Sequence, residues 1–142
     1  MRGGEKLGRL LRLASAQFEA EKRALVAEQG ITPSQMDVLE YLADQGGAAA
    51  QTDIVAHLRA SRATVSGLVS RLERMGLAFR DGAERPGRVV VVHLADKAWP
   101  IVQACHERLE GMDERLTAGF TEDERTTLVR LLREMVGPDG SA

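Results

Sequence analysis

The sequence predicts a mainly α-helical fold that contains one β-hairpin. Apolar residues recur at helical spacing along most of the 142 residues. Three segments open with a Ser or Thr placed to cap a helix. One stretch, Val89–Leu94, is instead rich in β-branched residues and follows a segment of turn residues. The predicted order is four helices, the hairpin and two closing helices.

Two helices are expected before residue 48. The first carries an amphipathic stripe and ends near Gly30. The second opens at Thr32, with Pro33 at the first helical position and Gln35 completing a capping box, and Gly46-Gly47 ends it. The stripe of the first helix consists of Leu7, Leu10, Leu11, Ala14 and Phe18.

A short third helix, about 51–59, is joined by a tight turn to a fourth helix that Ser61 caps. Gly76 suits a left-handed residue after the fourth helix, and Leu77 can fold back onto it. The inward residues are Ile54, Val55 and Leu58 in the third helix, and Val65, Leu68, Val69 and Leu72 in the fourth.

The hairpin follows directly, with strands at 77–81 and 89–94 and a basic turn at 82–87. The fifth helix is expected from near Asp96 towards Ala118, with Pro100 tolerated in its first turns. A second capping box, 121–124, opens the last helix, whose apolar residues are Leu128, Leu131, Leu132 and Met135.

Composition indicates one globular domain in the cytoplasm. The chain is 44% hydrophobic and 28% charged, and no apolar run is long enough for a signal peptide or a membrane span. We therefore expect no membrane association. The lone Cys105 excludes an internal disulfide framework and fits a reducing compartment.

Charge is unevenly distributed around a formal net charge of −2. The segment from Arg59 to Arg88 contains seven arginines and three acidic residues, a local balance of +4. The segment from Glu107 to Glu134 contains eight acidic residues and five arginines. A basic middle on an acidic frame is typical of a segment that contacts DNA. Taken alone, a chance cluster on a solvated face explains it equally well.

The short helix, the tight turn, the basic second helix and the hairpin together predict a winged helix-turn-helix that binds duplex DNA. Base readout is expected near the start of the fourth helix, from Arg62, Ala63, Thr64 and Ser66, and phosphate contacts further along it. The candidate contacts on this helix are Ser61, Arg62, Ala63, Thr64, Ser66, Gly67, Ser70, Arg71 and Arg74.

Two further features carry alternatives. Gly67 inside the fourth helix costs about 1 kcal/mol relative to Ala, which close approach to DNA would justify, although a neutral surface position is also possible. Arg85 and Arg88 at the hairpin tip suit a narrow minor groove. An ordinary solvated turn is the alternative for that tip.

These segments resemble the MarR family of winged helix-turn-helix regulators. The resemblance is carried by residues 51–58 and 61–77 and by the hairpin residues 87–95, and it runs from about Leu7 to Met135. Pro86 and Ala95 depart from the family's usual Asp and Thr, which leaves Arg85 and Arg88 as rivals for the wing contact. We expect Asp96 to replace the missing cap.

The resemblance implies a homodimer that binds a pseudo-palindromic operator, usually as a repressor, and that responds to a small phenolic or anionic effector. It divides the chain into an N-terminal dimerisation helix (1–30), a DNA-binding lobe (31–95) and C-terminal dimerisation helices (96–142). The dimerisation residues it implies are Leu7, Leu10, Leu11, Leu128, Leu131, Leu132 and Met135.

Several residues suggest other chemistry that the pattern does not favour. Cys105 has no second cysteine to resolve an oxidised thiol, so a structural thiol is expected. The three histidines lack metal-ligand spacing, and Trp99 is better explained as a core or interface aromatic than as a pocket wall. Without a phosphate loop or a nucleophile-base pair, we expect no enzyme, no metal and no cofactor.

Two other classes of protein stay open at this point. One is a winged-helix interaction or dimerisation module that has lost DNA binding, as the acidic total charge and the missing wing Asp would allow. The other is a small-molecule carrier that uses a cleft in the dimer.

Overall fold

The computed structural model describes residues 2–82 and 87–137. They form two compact units, one up to Arg108 and one from Leu109 onward, and each is described by itself. The helices are α1 (Arg2–Glu28), α2 (Pro33–Asp44), α3 (Gln51–Leu58), α4 (Arg62–Arg74), α5 (Trp99–Leu116) and α6 (Glu122–Val136). The strands are β1 (Ala48–Ala50), β2 (Ala78–Asp81) and β3 (Val91–Leu94). This mainly α-helical architecture confirms the predicted fold class.

Both predicted capping boxes are present. The Gln35 backbone N–H donates to the Thr32 hydroxyl at 3.2 Å, and the Thr32 N–H donates to the Gln35 side chain at 2.9 Å. In α6 the corresponding distances between Thr121 and Glu124 are 3.1 and 2.9 Å. These reciprocal bonds satisfy backbone donors that the first turn of a helix leaves unpaired, so both helices begin where the sequence predicts.

The core of the first unit lies where α2, α3 and α4 meet. The predicted inward stripe of α4 is buried, and Ile54 of α3 and Leu39 of α2 are fully buried. Gly76 has φ 72°, and the Leu77 N–H reaches back to the Leu72 carbonyl at 2.9 Å, as the Gly-Leu pair predicts. Val55 and Leu58, predicted to point inward, are only half-buried.

The sheet has three antiparallel strands in the order β1-β3-β2, rather than the two of a simple hairpin. The extra strand, β1, pairs Ala49 with Val92, and the Leu94 N–H donates to the Gly47 carbonyl at 2.7 Å just before it. Three alanines carry no strand propensity, so β1 was missed. Its extended backbone is specified by the free edge of β3.

Strand β3 is shorter than the predicted 89–94. Its pairing with β2 ends at Asp81 opposite Val91. The carbonyl of Val90 instead accepts from the Gln51 N–H at 2.9 Å, and Val89 is 64% exposed. The β-branched run therefore continues beyond the strand, where its backbone supports the start of α3.

The segment before α5 also differs from expectation. Residues Asp96–Ala98 form a 3₁₀ turn with Ala95 at its cap, and no side-chain hydrogen bond caps that turn. The expectation that Asp96 replaces the missing Thr cap was therefore wrong. The Ala98 N–H donates to the Ala95 carbonyl at 3.0 Å, so the backbone closes the turn.

Among the described helices, none is long and apolar enough to cross a membrane.

Candidate nucleic-acid interface

The start of α4 is organised by Ser61. Its hydroxyl accepts from the Thr64 backbone N–H at 3.0 Å and donates to the Thr64 hydroxyl oxygen at 2.8 Å. The cap therefore uses the Ser61 hydroxyl as donor and acceptor at once. In this arrangement the Thr64 hydroxyl keeps a hydrogen that it can donate to an acceptor outside the chain.

The outward face of α4 is open and basic. Arg62, Ala63, Thr64, Arg71 and Arg74 are exposed, whereas Ser66, Gly67 and Ser70 are half-buried. A methyl group placed on Gly67 would meet no atom within 4 Å. The fold itself thus leaves room for a side chain at Gly67, and no packing contact explains the glycine.

Beside this face lies a hydrogen-bond network centred on Arg80 of β2. The guanidinium donates to Glu73 Oε1 at 2.5 Å, to the Ser66 carbonyl at 2.7 Å, and to the Ser66 and Ser70 hydroxyls at 3.1 Å each. Its Nε donates to the Gln51 side chain at 3.0 Å. One side chain therefore joins the sheet, α4 and the first residue of α3.

This network changes the roles of residues that sequence reasoning had grouped together. In the sequence, Arg80 stands out only as one charge of the basic segment, but in the structure its side chain is 15% exposed and paired with Glu73. Ser66 and Ser70 are held by Arg80 as acceptors, so each still has a hydroxyl hydrogen to donate outward. Because the partners lie up to 29 residues apart, no local sequence signal indicates them.

An open groove separates the start of α4 from the residues before β3. Arg62 and Arg88 both line it, so two arginines 26 positions apart in sequence share one depression. Its other lining residues are Gln51, Thr52, Val55, Gly87, Val89 and Val90. The predicted contact Arg85 and the departing residue Pro86 lie outside the described residues.

A second polar cluster lies where α1, α2 and α5 approach each other within the first unit. The Lys22 ammonium contacts Asp37 Oδ1 at 2.8 Å. Burial raises the pKa of Glu40, although the charge of Lys22 opposes that shift. Burial also raises the pKa of the Cys105 thiol, which is fully buried. A buried thiol that stays protonated is a poor nucleophile, as expected of a structural cysteine.

The residues expected at a dimer interface lie on exposed faces of α1 and α6. Leu7, Leu10 and Leu11 are 51%, 52% and 36% exposed. In α6, Leu128 is half-buried, while Leu131, Leu132 and Met135 are 45%, 36% and 54% exposed. Leucine faces of this kind are unfavourable in water, so they indicate contact with another surface.

Two of the three histidines stack on aromatic rings. His57 stacks on Tyr41 with ring centroids 4.3 Å apart, and His93 stacks on Phe79 at 4.9 Å. Across the described ranges, no group of three or more His, Cys, Asp or Glu side chains is arranged to hold a metal ion. Trp99 is 41% exposed, and its ring lies against Gly47.

The helical triad α2–α4 with the small sheet defines a winged helix-turn-helix, the class of fold that presents a helix and a β-wing to DNA. A family model described as the MarR family matches residues 29–88. The family model and the similar solved structures confirm the resemblance to the MarR family of transcriptional regulators noted from the sequence.

Individual relatives agree with this assignment. The chain is 25% identical over 138 residues to the HTH-type transcriptional repressor NicR of Pseudomonas putida, covering 97% of this chain and 87% of that protein. It is similar to Bordetella bronchiseptica BpsR, whose structure concerns regulation of DNA binding by 6-hydroxynicotinic acid, with TM-score 0.76, 29% identity and coverage of 93% and 99%.

A second similar structure contains nucleic acid. It is a cysteine-to-serine mutant of Escherichia coli MarR complexed with operator DNA, with TM-score 0.73, 25% identity and coverage of 93% of this chain and 94% of that one. These relatives are regulators rather than enzymes, and this protein is a DNA-binding, repressor-like transcriptional regulator.

Proposed function

We propose that the chain is a cytoplasmic, homodimeric repressor that binds a pseudo-palindromic operator and is released by a small phenolic or anionic effector. The observation that supports the operator contact is that Arg62 of α4 and Arg88 of the wing line the same open groove. A helix in the major groove and a wing beside it would clamp the intervening sugar-phosphate backbone between these two cations.

Within this proposal, α4 enters the major groove. Arg62, Ala63, Thr64 and Ser66 read bases, because the first turns of a recognition helix lie nearest to the base edges. Further along, Ser70, Arg71 and Arg74 contact phosphates. Ser61 orients Thr64, Gly67 lets the helix backbone approach the DNA closely, and Arg88, with Arg85 as the rival, enters the minor groove.

The dimer is proposed to form through the exposed faces of α1 and α6. Burying the leucines of those faces removes apolar surface from water in both protomers, which favours association. The proposal keeps the division into 1–30 and 96–142 for dimerisation and 31–95 for DNA binding. Two lobes related by a two-fold axis would read half-sites about one helical turn apart.

The effector proposal is supported by 6-hydroxynicotinic acid, the hydroxylated aromatic acid that regulates DNA binding by BpsR. An effector of this chemistry would lower the DNA-bound fraction by binding better to a protomer spacing that does not fit the operator. The size of the response is then set by its differential affinity for the two states.

The test is a fluorescence-anisotropy titration of the purified protein against duplex DNA from upstream of its own gene, with scrambled DNA as control, across a salt series. Selection from a random duplex library follows if that fragment is not preferred. We expect selective binding whose log affinity falls steeply with log salt, since phosphate contacts release counterions. Sedimentation of the free protein should show a dimer.

Four variants assign the contacts. Arg62→Glu and Arg71→Glu should abolish selective binding without changing the dimer. Arg88→Ala should weaken binding more than the exposed control Arg125→Ala, and equal effects of these two would contradict the wing contact. Normal folding with no duplex bound even at low salt would instead favour the interaction module. Tight effector binding without any operator would favour the carrier.

A further inference from the structure

Arg59, in the turn between α3 and α4, has an unusual backbone conformation. Its φ and ψ are 52° and 36°, in the left-handed region. At every other described position with positive φ the chain has a glycine, for example Gly30 and Gly76. An L side chain in this region brings its Cβ close to the backbone, which glycine avoids. The turn geometry therefore favours glycine, and yet the residue is arginine.

The side chain of Arg59 has no visible role in the fold. It is exposed, and within the residues that the structure describes it makes no hydrogen bond or ion pair. Its neighbours Ala60 and Ser61 supply the turn and the α4 cap without it. A residue that strains the backbone and contributes no contact points to a role outside the chain.

The position of Arg59 indicates what that role is. It lies two residues before the α4 cap and three before Arg62, so both arginines flank the N-terminal end of the recognition helix. In a helix-turn-helix the first helix crosses the DNA backbone while the second enters the major groove. The turn that joins them therefore lies at the phosphates bordering that groove, and the N-terminus of α4 adds a positive partial charge there.

We propose that Arg59 is a phosphate-contacting residue that anchors the α3–α4 turn to the DNA backbone. The inference rests on the proposed DNA-binding function and adds a contact outside the α4 face and the wing. Because a phosphate is the same at every base pair, Arg59 contributes affinity and register but no base preference.

A structural role is the competing explanation, because a cation at the C-terminal end of α3 interacts favourably with the helix dipole. The two roles differ in what they change. The dipole role changes the thermal midpoint of the free protein and leaves DNA binding intact. The phosphate role changes the affinity for DNA and its dependence on salt.

The experiment compares Arg59→Gly, Arg59→Lys and Gly30→Arg with the wild-type chain, using the duplex that the wild-type chain selects from a random library. Gly30 is a matched control, because it has φ 74° and open space around it at the α1–α2 turn. Each protein is measured for its thermal midpoint, its Kd in about 0.1 M salt and the slope of log Kd against log salt.

We expect Arg59→Gly to weaken binding on the order of tenfold and to reduce the salt slope by about 0.9, the value of one phosphate contact. Its thermal midpoint and its order of preference among duplexes should not fall. Arg59→Lys should keep the slope, because it keeps the charge. Gly30→Arg should lower the thermal midpoint and leave the affinity unchanged.

Two results overturn the proposal, and they are distinguishable. If Arg59→Gly keeps the wild-type affinity and slope while Arg62→Glu loses binding, the DNA-binding function stands and the Arg59 contact is wrong. If the wild-type chain selects no duplex even at low salt, the DNA-binding function fails, and the Arg59 contact fails with it.

Discussion

Removing the Arg80 guanidinium tests whether one side chain holds the recognition helix and the wing together. In Arg80→Ala, the Glu73 carboxylate loses its 2.5 Å partner, and the Ser66, Ser70 and Gln51 side chains lose a shared donor. Breaking a fully buried ion pair costs about 3–5 kcal/mol, whereas a surface pair contributes at most about 1 kcal/mol. The Arg80 and Glu73 side chains are 15% and 33% exposed. We therefore expect a loss of about 2–3 kcal/mol, between those limits.

The assay is urea unfolding followed by circular dichroism, at one fixed protein concentration because a dimer's stability depends on concentration. A double-mutant cycle with Glu73→Ala isolates the pair, and Arg23→Ala removes an exposed arginine as the control. The reasoning is refuted if the coupling energy is below about 0.5 kcal/mol and Arg80→Ala is no less stable than Arg23→Ala.

The same perturbation bears on DNA binding. Arg80→Lys keeps a positive charge beside Glu73, but an ammonium cannot reach the Ser66, Ser70 and Gln51 side chains together as the planar fork does. We expect this variant to fold and to bind the selected duplex more weakly, because the two serine hydroxyls lose their fixed orientation. Wild-type affinity in Arg80→Lys would show that the network serves stability alone.

Three further predictions concern single side chains. Gly67→Ala should stabilise the free protein by about 1 kcal/mol, because alanine favours the helix and the added methyl group meets open space, while weakening DNA binding; unchanged affinity would mean that Gly67 is an ordinary surface position. Burial raises the pKa of Glu40, so the folded state favours the protonated carboxyl group. The stabilisation of the fold by that proton is complete below the unfolded-state pKa of Glu40 and is lost as pH rises through its folded-state pKa. Glu40→Gln should therefore match the wild-type thermal midpoint in acid and exceed it at neutral pH, whereas the exposed control Glu114→Gln should show no such divergence; a neutral-pH loss in Glu40→Gln would contradict the burial argument. Because Cys105 is buried and its pKa is raised, a thiol reagent should label the native protein slowly and the urea-unfolded protein rapidly, and fast native labelling would indicate an accessible thiolate.

The local part of the fold could be predicted because its determinants are neighbours in sequence. Thr32 with Gln35 and Thr121 with Glu124 set the starts of two helices through bonds that span three residues. The inward stripe of α4 follows from the helical period and is buried as predicted. The outward residues of α4 are those on the helix face opposite that stripe. Most of the candidate interface could therefore be predicted from the sequence.

The long-range part could not be predicted. Strand β1 is three alanines, and the Arg80 network joins residues that are up to 29 positions apart. The groove that Arg62 and Arg88 both line likewise depends on how the sheet packs beside α4. None of these features has a periodicity or a motif that a linear reading can detect.

The sequence by itself determined the helix starts and the buried and exposed faces of α4, because capping and periodicity act over a few residues. Its motifs also carried the resemblance to MarR regulators. The tertiary structure alone decided that the Arg80 side chain turns inward and hydrogen-bonds to α3 and α4 rather than pointing outward towards DNA. It also decided that the α3–α4 turn imposes a left-handed backbone on Arg59. The physical reason is that the surroundings of these two arginines are set by chain segments packed against each other. The same residue type is therefore paired and mostly buried at position 80 and exposed at position 59.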